Sequence, residues 1–377
     1  MEGKKRKVGI VTFWWSQDNY GQLLQAFALQ TVLKRMGHEP FLVNFMEPTI
    51  IKKGIVAKFK RVLNVFNPTK LKNYLKKRIV AQHSNRGFSD FRKKHLNIAS
   101  EQFRSLSDLK NSPPKADLYI CGSDQVWNRK DLNNLKVYLL SFGNIPKISY
   151  AASFGKRYDN LNEDTIKVFE TYLPKFQAIS VRERSGMEAC DKLGYPNAVW
   201  VPDPTLLLTK EDYADILIKD DVTPTWKTNK KRVLIYTVGN QTVDCKENVI
   251  NFLKKQREYE VIHVSSQGDY TGNMYPTIEK WLSYMQQADF VLTNSFHGAV
   301  FSVIFNKEFA VLLCDGGTAG MNERIYSLLE KTKQKHKILD SFDKLNDLLA
   351  DKSDWSFVEK EIVEWRVEAK DFLEKNI

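Results

Sequence analysis

Short apolar runs that end in polar turns alternate along this chain with longer stretches whose apolar residues return at helical period. Residues 7–13 predict a strand. Leu23, Leu24, Phe27, Leu29, Val32, Leu33 and Met36 predict a helix that stops at Gly37, and 41–45 predict the next strand. This is the βαβ opening of a doubly wound sheet. Further strands are predicted at 117–121, 147–151 and 177–181, with helices near 162–173 and 183–193. A second opening at 232–239 leads through a helix at 244–257, a strand at 261–264 and a helix at 277–287. A strand at 290–293, a helix at 296–305 and a strand at 309–313 complete it. The expectation is an α/β protein of two Rossmann-like domains facing a cleft, 1–208 and 209–353. Pro202, Pro204, Pro224 and the basic run 227–231 suggest a linker over about 203–231. In the terminal segment, 354–377, Val358, Ile362, Trp365, Ala369 and Phe372 predict one amphipathic helix, expected to cross back onto the first domain.

A length of 377 residues agrees with two cores rather than one. The net charge of +12 is local: between Lys52 and Lys94 stand fourteen Lys or Arg and one acid, Asp90, so the rest of the chain is close to neutral. Within that insertion Ile55, Phe59, Val62, Leu63 and Phe66 form one apolar face, Asn67-Pro68 interrupts, and Leu71, Tyr74, Leu75 and Ile79 form another. Two readings stay open: a basic amphipathic pair docking on an anionic membrane surface, or a pair packed on the core with solvated basic faces. A nucleic-acid binder is disfavoured, since no exposed aromatic interleaving or recognition motif accompanies the charge. The four cysteines are scattered without a Cys-x-x-Cys, as expected for a reducing cytoplasm. No apolar run has membrane-spanning length, and the basic start is followed by too short an apolar run for a signal peptide.

The chemistry concentrates where predicted strands end, the ligand-binding edge of open α/β sheets. Residues 289–304 run from an apolar strand through Thr293-Asn294-Ser295 into an apolar helix that starts at His297. There a histidine exchanges protons beside an anion or serves as a buried structural group. The loop 14–22 offers Asp18, Asn19 and Gly21, as sugar ligands or helix caps. After the strand at 117–121 come Gly122, Ser123 and Asp124, the last a general base or a turn residue. Arg182 ends a strand, where its fork suits a carboxylate or phosphate, or an ion pair with Glu183 or Asp203. Arg184 reads as a helix-face residue, and Asp203 is fixed between Pro202 and Pro204. The run 316–324 is expected to be a flexible turn into a helix, with Asn322 and Arg324 as weaker anion ligands. No P-loop, His-Glu-x-x-His or Asp-x-Asp occurs, and no metal site or dinucleotide cofactor is indicated.

Taken in order, Asn19-Tyr-Gly-Gln-Leu-Leu-Gln25, Gly122-Ser-Asp-Gln-Val-Trp127, Ser180-Val-Arg-Glu183, Asp203-Pro-Thr205 and Asn294-Ser-Phe-His-Gly298 resemble the polysaccharide pyruvyl transferase family. The resemblance implies a GT-B-like fold, phosphoenolpyruvate as donor, no separate cofactor, and a pyruvate ketal formed on a sugar of a surface polysaccharide or its polyprenyl-diphosphate-linked precursor. By motif, His297 matches the catalytic histidine and Arg182 a donor-binding arginine. Asn294, Ser295, Arg184 and Arg324 are expected at the donor, and Asn19, Tyr20, Ser123 and Trp127 at the acceptor. Asp124 or Asp18 would deprotonate an acceptor hydroxyl. Some members carry arginine where this chain has Ser295, which leaves the donor phosphate to Arg324 or Arg184. The implied location is cytoplasmic and peripheral, at the inner face of the cell membrane. The competing expectation is a metal-independent GT-B glycosyltransferase using a nucleotide sugar.

Overall fold

The computed structural model describes residues 5–47, 86–218, 226–239, 245–266, 271–272 and 274–377. Eleven strands occur among them, all in parallel pairings. β1 (Lys7–Val11), β2 (Glu39–Phe45), β3 (Ile98–Phe103), β4 (Leu118–Cys121), β5 (Lys147–Ala152), β6 (Ala178–Val181) and β7 (Val199–Trp200) form one sheet in the order β3-β2-β1-β4-β5-β6-β7. β8 (Lys231–Val238), β9 (Tyr259–Ser266), β10 (Phe290–Thr293) and β11 (Glu308–Val311) form the second, in the order β11-β10-β8-β9. The strand order reverses between β1 and β4 in the first sheet and between β8 and β10 in the second. Such switch points open crevices at the carboxyl ends of the strands. Asp124 follows β4 and His297 follows β10, so each sheet delivers one candidate residue at its own switch point.

The helices that shape the centre are α1 (Tyr20–Arg35), α2 (Phe88–His95), α3 (Arg184–Lys192), α4 (Ile278–Gln287), α5 (Phe296–Ile304), α6 (Glu323–Lys331) and α7 (Trp355–Asn376). Alternation along the strands sends residues to two faces. Val8 and Ile10 of β1, with Leu234 and Tyr236 of β8, face one large core shared by both halves, while Val11 and Cys121 face a core of the first half and Val233 and Ile235 one of the second. Helix α1 lies in the shared core, which explains why 13 of its 16 residues are buried and why its sequence is apolar nearly all round. Tyr20 at its start stacks on Trp281 of α4, with ring centroids 5.0 Å apart, and donates to the Pro276 carbonyl at 2.8 Å. The halves are therefore joined by packing, not only by a connector.

Several expectations change. Residues 203–217 are not a linker: Leu206, Leu207, Leu208, Tyr213 and Leu217 are buried in the shared core. The prolines there set a 3₁₀ turn at Pro204–Leu207. Residues 316–324, expected to be a flexible turn, form a 3₁₀ helix at Gly316–Asn322 that runs into α6. The apolar-run pattern misses β3 because it is an edge strand with an exposed polar centre, Ser100-Glu101-Gln102, and β7 because it is two residues long. Helix α7 does cross back: Trp365 Nε1 donates to the Trp200 carbonyl at 3.3 Å, and Arg366 reaches the carbonyls of Leu206 and Leu208. The amphipathic pair expected at 55–81 lies outside the described residues. The end of the basic insertion is described: Lys93 and Lys94 are exposed, whereas two of its arginines are engaged. Arg86 is buried and donates to the Ser265 carbonyl at 2.9 Å, and Arg92 donates to the Ser16 carbonyl at 2.7 Å.

Candidate active site

β10 enters α5 through three residues whose side chains are occupied locally. Thr293 Oγ1 donates to the Tyr236 carbonyl at 2.7 Å. Asn294 clamps the end of β8, its Oδ1 accepting from the Val238 N–H and its Nδ2 donating to the Val238 carbonyl, both at 2.8 Å. Ser295 caps α5, its Oγ accepting from the Gly298 N–H at 3.4 Å. His297 is thereby fixed in the first turn of the helix, only 5% exposed. Its Nε2 is buried without a hydrogen-bond partner and stops 3.6 Å from Asp203 Oδ2 of the first half. The ring also abuts α1: a Cβ on Gly21 would lie 2.0 Å from His297 Nδ1 and 2.1 Å from Cγ. Only glycine at 21 allows this approach.

Opposite the imidazole, Arg182 stands fully buried at the end of β6. Its Nη1 donates to Asp203 Oδ2 at 2.7 Å and its Nη2 to Asp124 Oδ1 at 3.3 Å. Asp203 also accepts from Ser123 Oγ at 2.9 Å, from the Thr205 N–H at 3.0 Å and from Thr205 Oγ1 at 2.8 Å. Burial alone would push the Asp203 carboxyl up, but His297 and Arg182 beside it hold it far below the usual carboxylate range. Asp124 is held low in the same way: burial raises it, and Arg182, His297 and Arg324 outweigh that. Its backbone sits at φ 80°, a region non-glycine residues rarely occupy, fixed by a bridge to Ala152. Such a conformation costs about 1–3 kcal/mol and persists where the surroundings over-determine it.

Two further charged groups complete the centre. Glu183 is buried, and its Oε1 accepts from Ser153 Oγ at 3.0 Å, the Phe154 N–H at 2.8 Å and the Gly155 N–H at 3.3 Å, while Oε2 has no partner. Burial pushes its carboxyl up. Arg324 of α6 is buried, and its Nε donates to the Met321 carbonyl at 3.3 Å. Among the described residues no carboxylate pairs with it. Burial, then the charge of Arg182, lowers it to about 10. Both guanidiniums lie against the Phe296 ring, Arg182 at 4.7 Å and Arg324 at 5.5 Å from its centroid.

Thus His297, Arg182, Asp124 and Arg324 come together, and the other expected residues do not join them as donor or acceptor ligands. Arg182 itself has both Nη groups engaged by two carboxylates in this structure. Arg184 turns outward, its side chain 63% exposed and paired with Glu330. Asn294 and Ser295 serve β8 and the α5 cap. Trp127 is wholly buried against Phe154 and Phe169, with Nε1 donating to the Tyr138 carbonyl at 3.3 Å. Tyr20 is in the shared core, and Ser123 is wholly buried on Asp203. Asn19 caps α1, accepting from the Gln22 N–H at 3.1 Å. Asp18 lies at the crossing of the halves, where its carbonyl accepts from Ser266 Oγ and, at 3.4 Å, from Arg86. Asp203 and Gly21 are the residues whose weight the sequence understated. The Pro202-Asp203-Pro204 frame was the signal for the first; a contact from another domain marks the second. Among the described residues no three His, Cys, Asp or Glu stand together as metal ligands.

Solved structures share this architecture. A protein assigned as a UDP-N-acetylglucosamine 2-epimerase from Listeria monocytogenes is similar with a TM-score of 0.53 at 11% identity, over 94% of this chain and 90% of that one. Anabaena Alr3699/HepE, solved with UDP and glucose, gives a TM-score of 0.49 at 9% identity, over 98% of this chain and 100% of that one. The fold is α/β with two parallel-sheet domains, of the GT-B type. No curated protein sequence matches the chain. The chain belongs to the polysaccharide pyruvyl transferase family, whose family model matches residues 19–316. It is a transferase of polysaccharide biosynthesis. No described helix is long and apolar enough to cross a membrane.

Proposed function

We propose that this protein transfers pyruvate from phosphoenolpyruvate to a sugar carried on a lipid-linked polysaccharide precursor, forming a ketal. What supports this reading, beyond family membership, is one observation: a buried imidazole whose Nε2 makes no hydrogen bond faces a paired carboxylate 3.6 Å away across the seam, beside a guanidinium, Arg324, that no carboxylate of the described residues contacts directly. In the proposed reaction His297 supplies the proton that turns the donor methylene into a methyl group. The C2 cation so formed is attacked by one sugar hydroxyl, phosphate leaves, and the second hydroxyl closes the ketal. Of the two hydroxyl protons, one restores the imidazole and the other leaves with phosphate. Asp203 stabilises the imidazolium electrostatically, and Asp124 takes the second hydroxyl proton and passes it to the departing phosphate, so that it ends the cycle ionised. Arg324 faces the donor's negative charge. The insertion at 52–94 would dock the enzyme, as a peripheral cytoplasmic protein, on the anionic leaflet that carries the acceptor.

The test is phosphate release from phosphoenolpyruvate with and without a lipid-linked glycan acceptor, with mass spectrometry of the glycan for the added ketal. Release that depends on the acceptor, and a pyruvylated product, are expected. Turnover of a nucleotide sugar with none of phosphoenolpyruvate would replace the reading by glycosyl transfer.

A further inference from the structure

The pairing of β5 with β6 slips just before the site. Its register shifts between Ser149 and Ala152, and Ala151 sits at φ 49°. The Ala152 carbonyl accepts from the Arg182 N–H at 3.2 Å, and beyond it the link between the two strands passes to a side chain. Glu183 Oε1 accepts from two successive backbone N–H groups, those of Phe154 and Gly155, and from the hydroxyl of Ser153, whose Oγ in turn accepts from the Gly155 N–H at 3.1 Å. A carboxyl keeps an acceptor oxygen whether it is ionised or neutral, so this hold does not depend on its charge.

The segment that Glu183 holds is the one from which Asp124 hangs. Ser153 donates its N–H to the Asp124 carbonyl at 3.0 Å, and its own carbonyl accepts from the Trp127 N–H at 3.2 Å, so both ends of the turn 124–127 are fastened to one residue. Gly155 packs on the same turn: a Cβ there would lie 2.8 Å from Gln125 Nε2 and 2.8 Å from Asn128 Nδ2. Asp124 and Ala151 are both non-glycine residues at positive φ, 80° and 49°. Such backbone persists only where its surroundings over-determine it, and here the determining hydrogen bonds converge on Ser153. Consecutive residues of the chain therefore hold Asp124 by its two ends. Arg182 pairs with the carboxylate, and Glu183, two hydrogen bonds away through Ser153, secures the main chain.

We propose that Glu183 is a positioning residue, which through Ser153 fixes the main chain of Asp124 and so sets where the Asp124 carboxylate stands relative to Arg182. The part of Asp124 as proton acceptor rests on the pyruvyl-transfer reading, whereas the coupling of Glu183 to Asp124 does not.

A double-mutant cycle separates positioning from a general loss of structure. Glu183→Met keeps the length of the side chain and removes the acceptor. It should lower kcat on the order of 10²-fold, the cost of a misplacement of about an ångström, with the donor KM little changed. In an Asp124→Asn background the same substitution should cost almost nothing further. Glu183→Gln keeps an oxygen at Oε1 and puts its amide nitrogen in the place of Oε2, which makes no hydrogen bond, and should retain most of the turnover. Should Glu183→Met fold poorly, Glu183→Asp, one methylene shorter, takes its place in the cycle. A measurement without turnover is the Asp124 carboxyl followed by carbon-13 NMR. In the parent burial raises it and the Arg182 pair outweighs that, so it should titrate higher in Glu183→Met as the pair loosens. Equal losses of kcat in both backgrounds, or a folded Glu183→Met protein with an unmoved Asp124 titration, overturn the proposal. A parent protein that turns over no phosphoenolpyruvate removes the pyruvyl-transfer reading alone, and the Asp124 titration still decides the coupling.

Discussion

At the carboxyl edge of the first sheet one guanidinium, Arg182, is paired directly with both Asp203 and Asp124, whereas across the seam His297 stops short of a hydrogen bond and Arg324 makes no direct ion pair among the described residues. Both regions are buried, so the difference is not exposure. A buried ion pair broken on one side leaves an uncompensated charge, which makes the first region a rigid frame. An unpartnered donor or cation in the same surroundings gains most from a ligand. Under the proposed reaction the contrast divides the centre into a part that positions and a part that reacts.

Removing the reacting part should cost rate and little else. His297→Ala is expected to lower turnover about 10²–10⁴-fold while the protein still folds cooperatively, as initial rates and calorimetry would show. Native rates in that variant would move His297 into the frame. Removing the frame should do the reverse first: Arg182→Met strands two buried carboxylates and should lose about 3–5 kcal/mol in denaturant unfolding. A stable Arg182→Met protein with a raised donor KM would instead restore Arg182 as a donor ligand.

Gly21→Ala probes the contact between the parts. Its Cβ would fall 2.0 Å from His297 Nδ1, so either α1 or the imidazole must shift. A misplacement of about an ångström costs on the order of 10² in turnover. The expected signature is a lowered kcat with donor binding retained.

The acid dependence of the frame has a definite sign. Asp203 titrates far below its unfolded value of ~3.9, so its contribution is fully present above that pH and is lost as pH falls through the folded value. Unfolding free energies of the parent and of Asp203→Asn should therefore differ most near neutrality and converge as the pH falls below about 4. The smallest effect is expected at Arg184. Its exposed pair with Glu330 contributes at most about 1 kcal/mol, and Arg184→Ala should leave kinetics unchanged. A raised donor KM there would return it to the donor set.

The sheets and most of the site were legible because strands buried on both faces read as apolar runs, and the residues just after them lie at the carboxyl edge. That logic placed Asp124, Arg182 and His297 at the strand ends, where the structure brings them together with Arg324. It failed for Tyr20 and Trp127, whose aromatic rings suit a sugar platform and a packed core equally well; burial alone separates the two. It failed for residues 203–217 because prolines mark rigid turns in a core as readily as in a linker.

Local sequence thus determined the two βα openings, the caps at Asn19 and Ser295, and the carboxyl-edge position of each reactive group, since periodicity, capping and turn chemistry act within a few residues. The tertiary structure decided which of those groups are neutralised. Arg182 meets Asp203 across 21 positions and Asp124 across 58, and His297 meets Gly21 and Asp203 only where the two domains pack, a distance in sequence that no local pattern encodes. Charge pairing falls off over a few ångströms, so it is settled by the final packing of the halves and not by the order of residues along the chain.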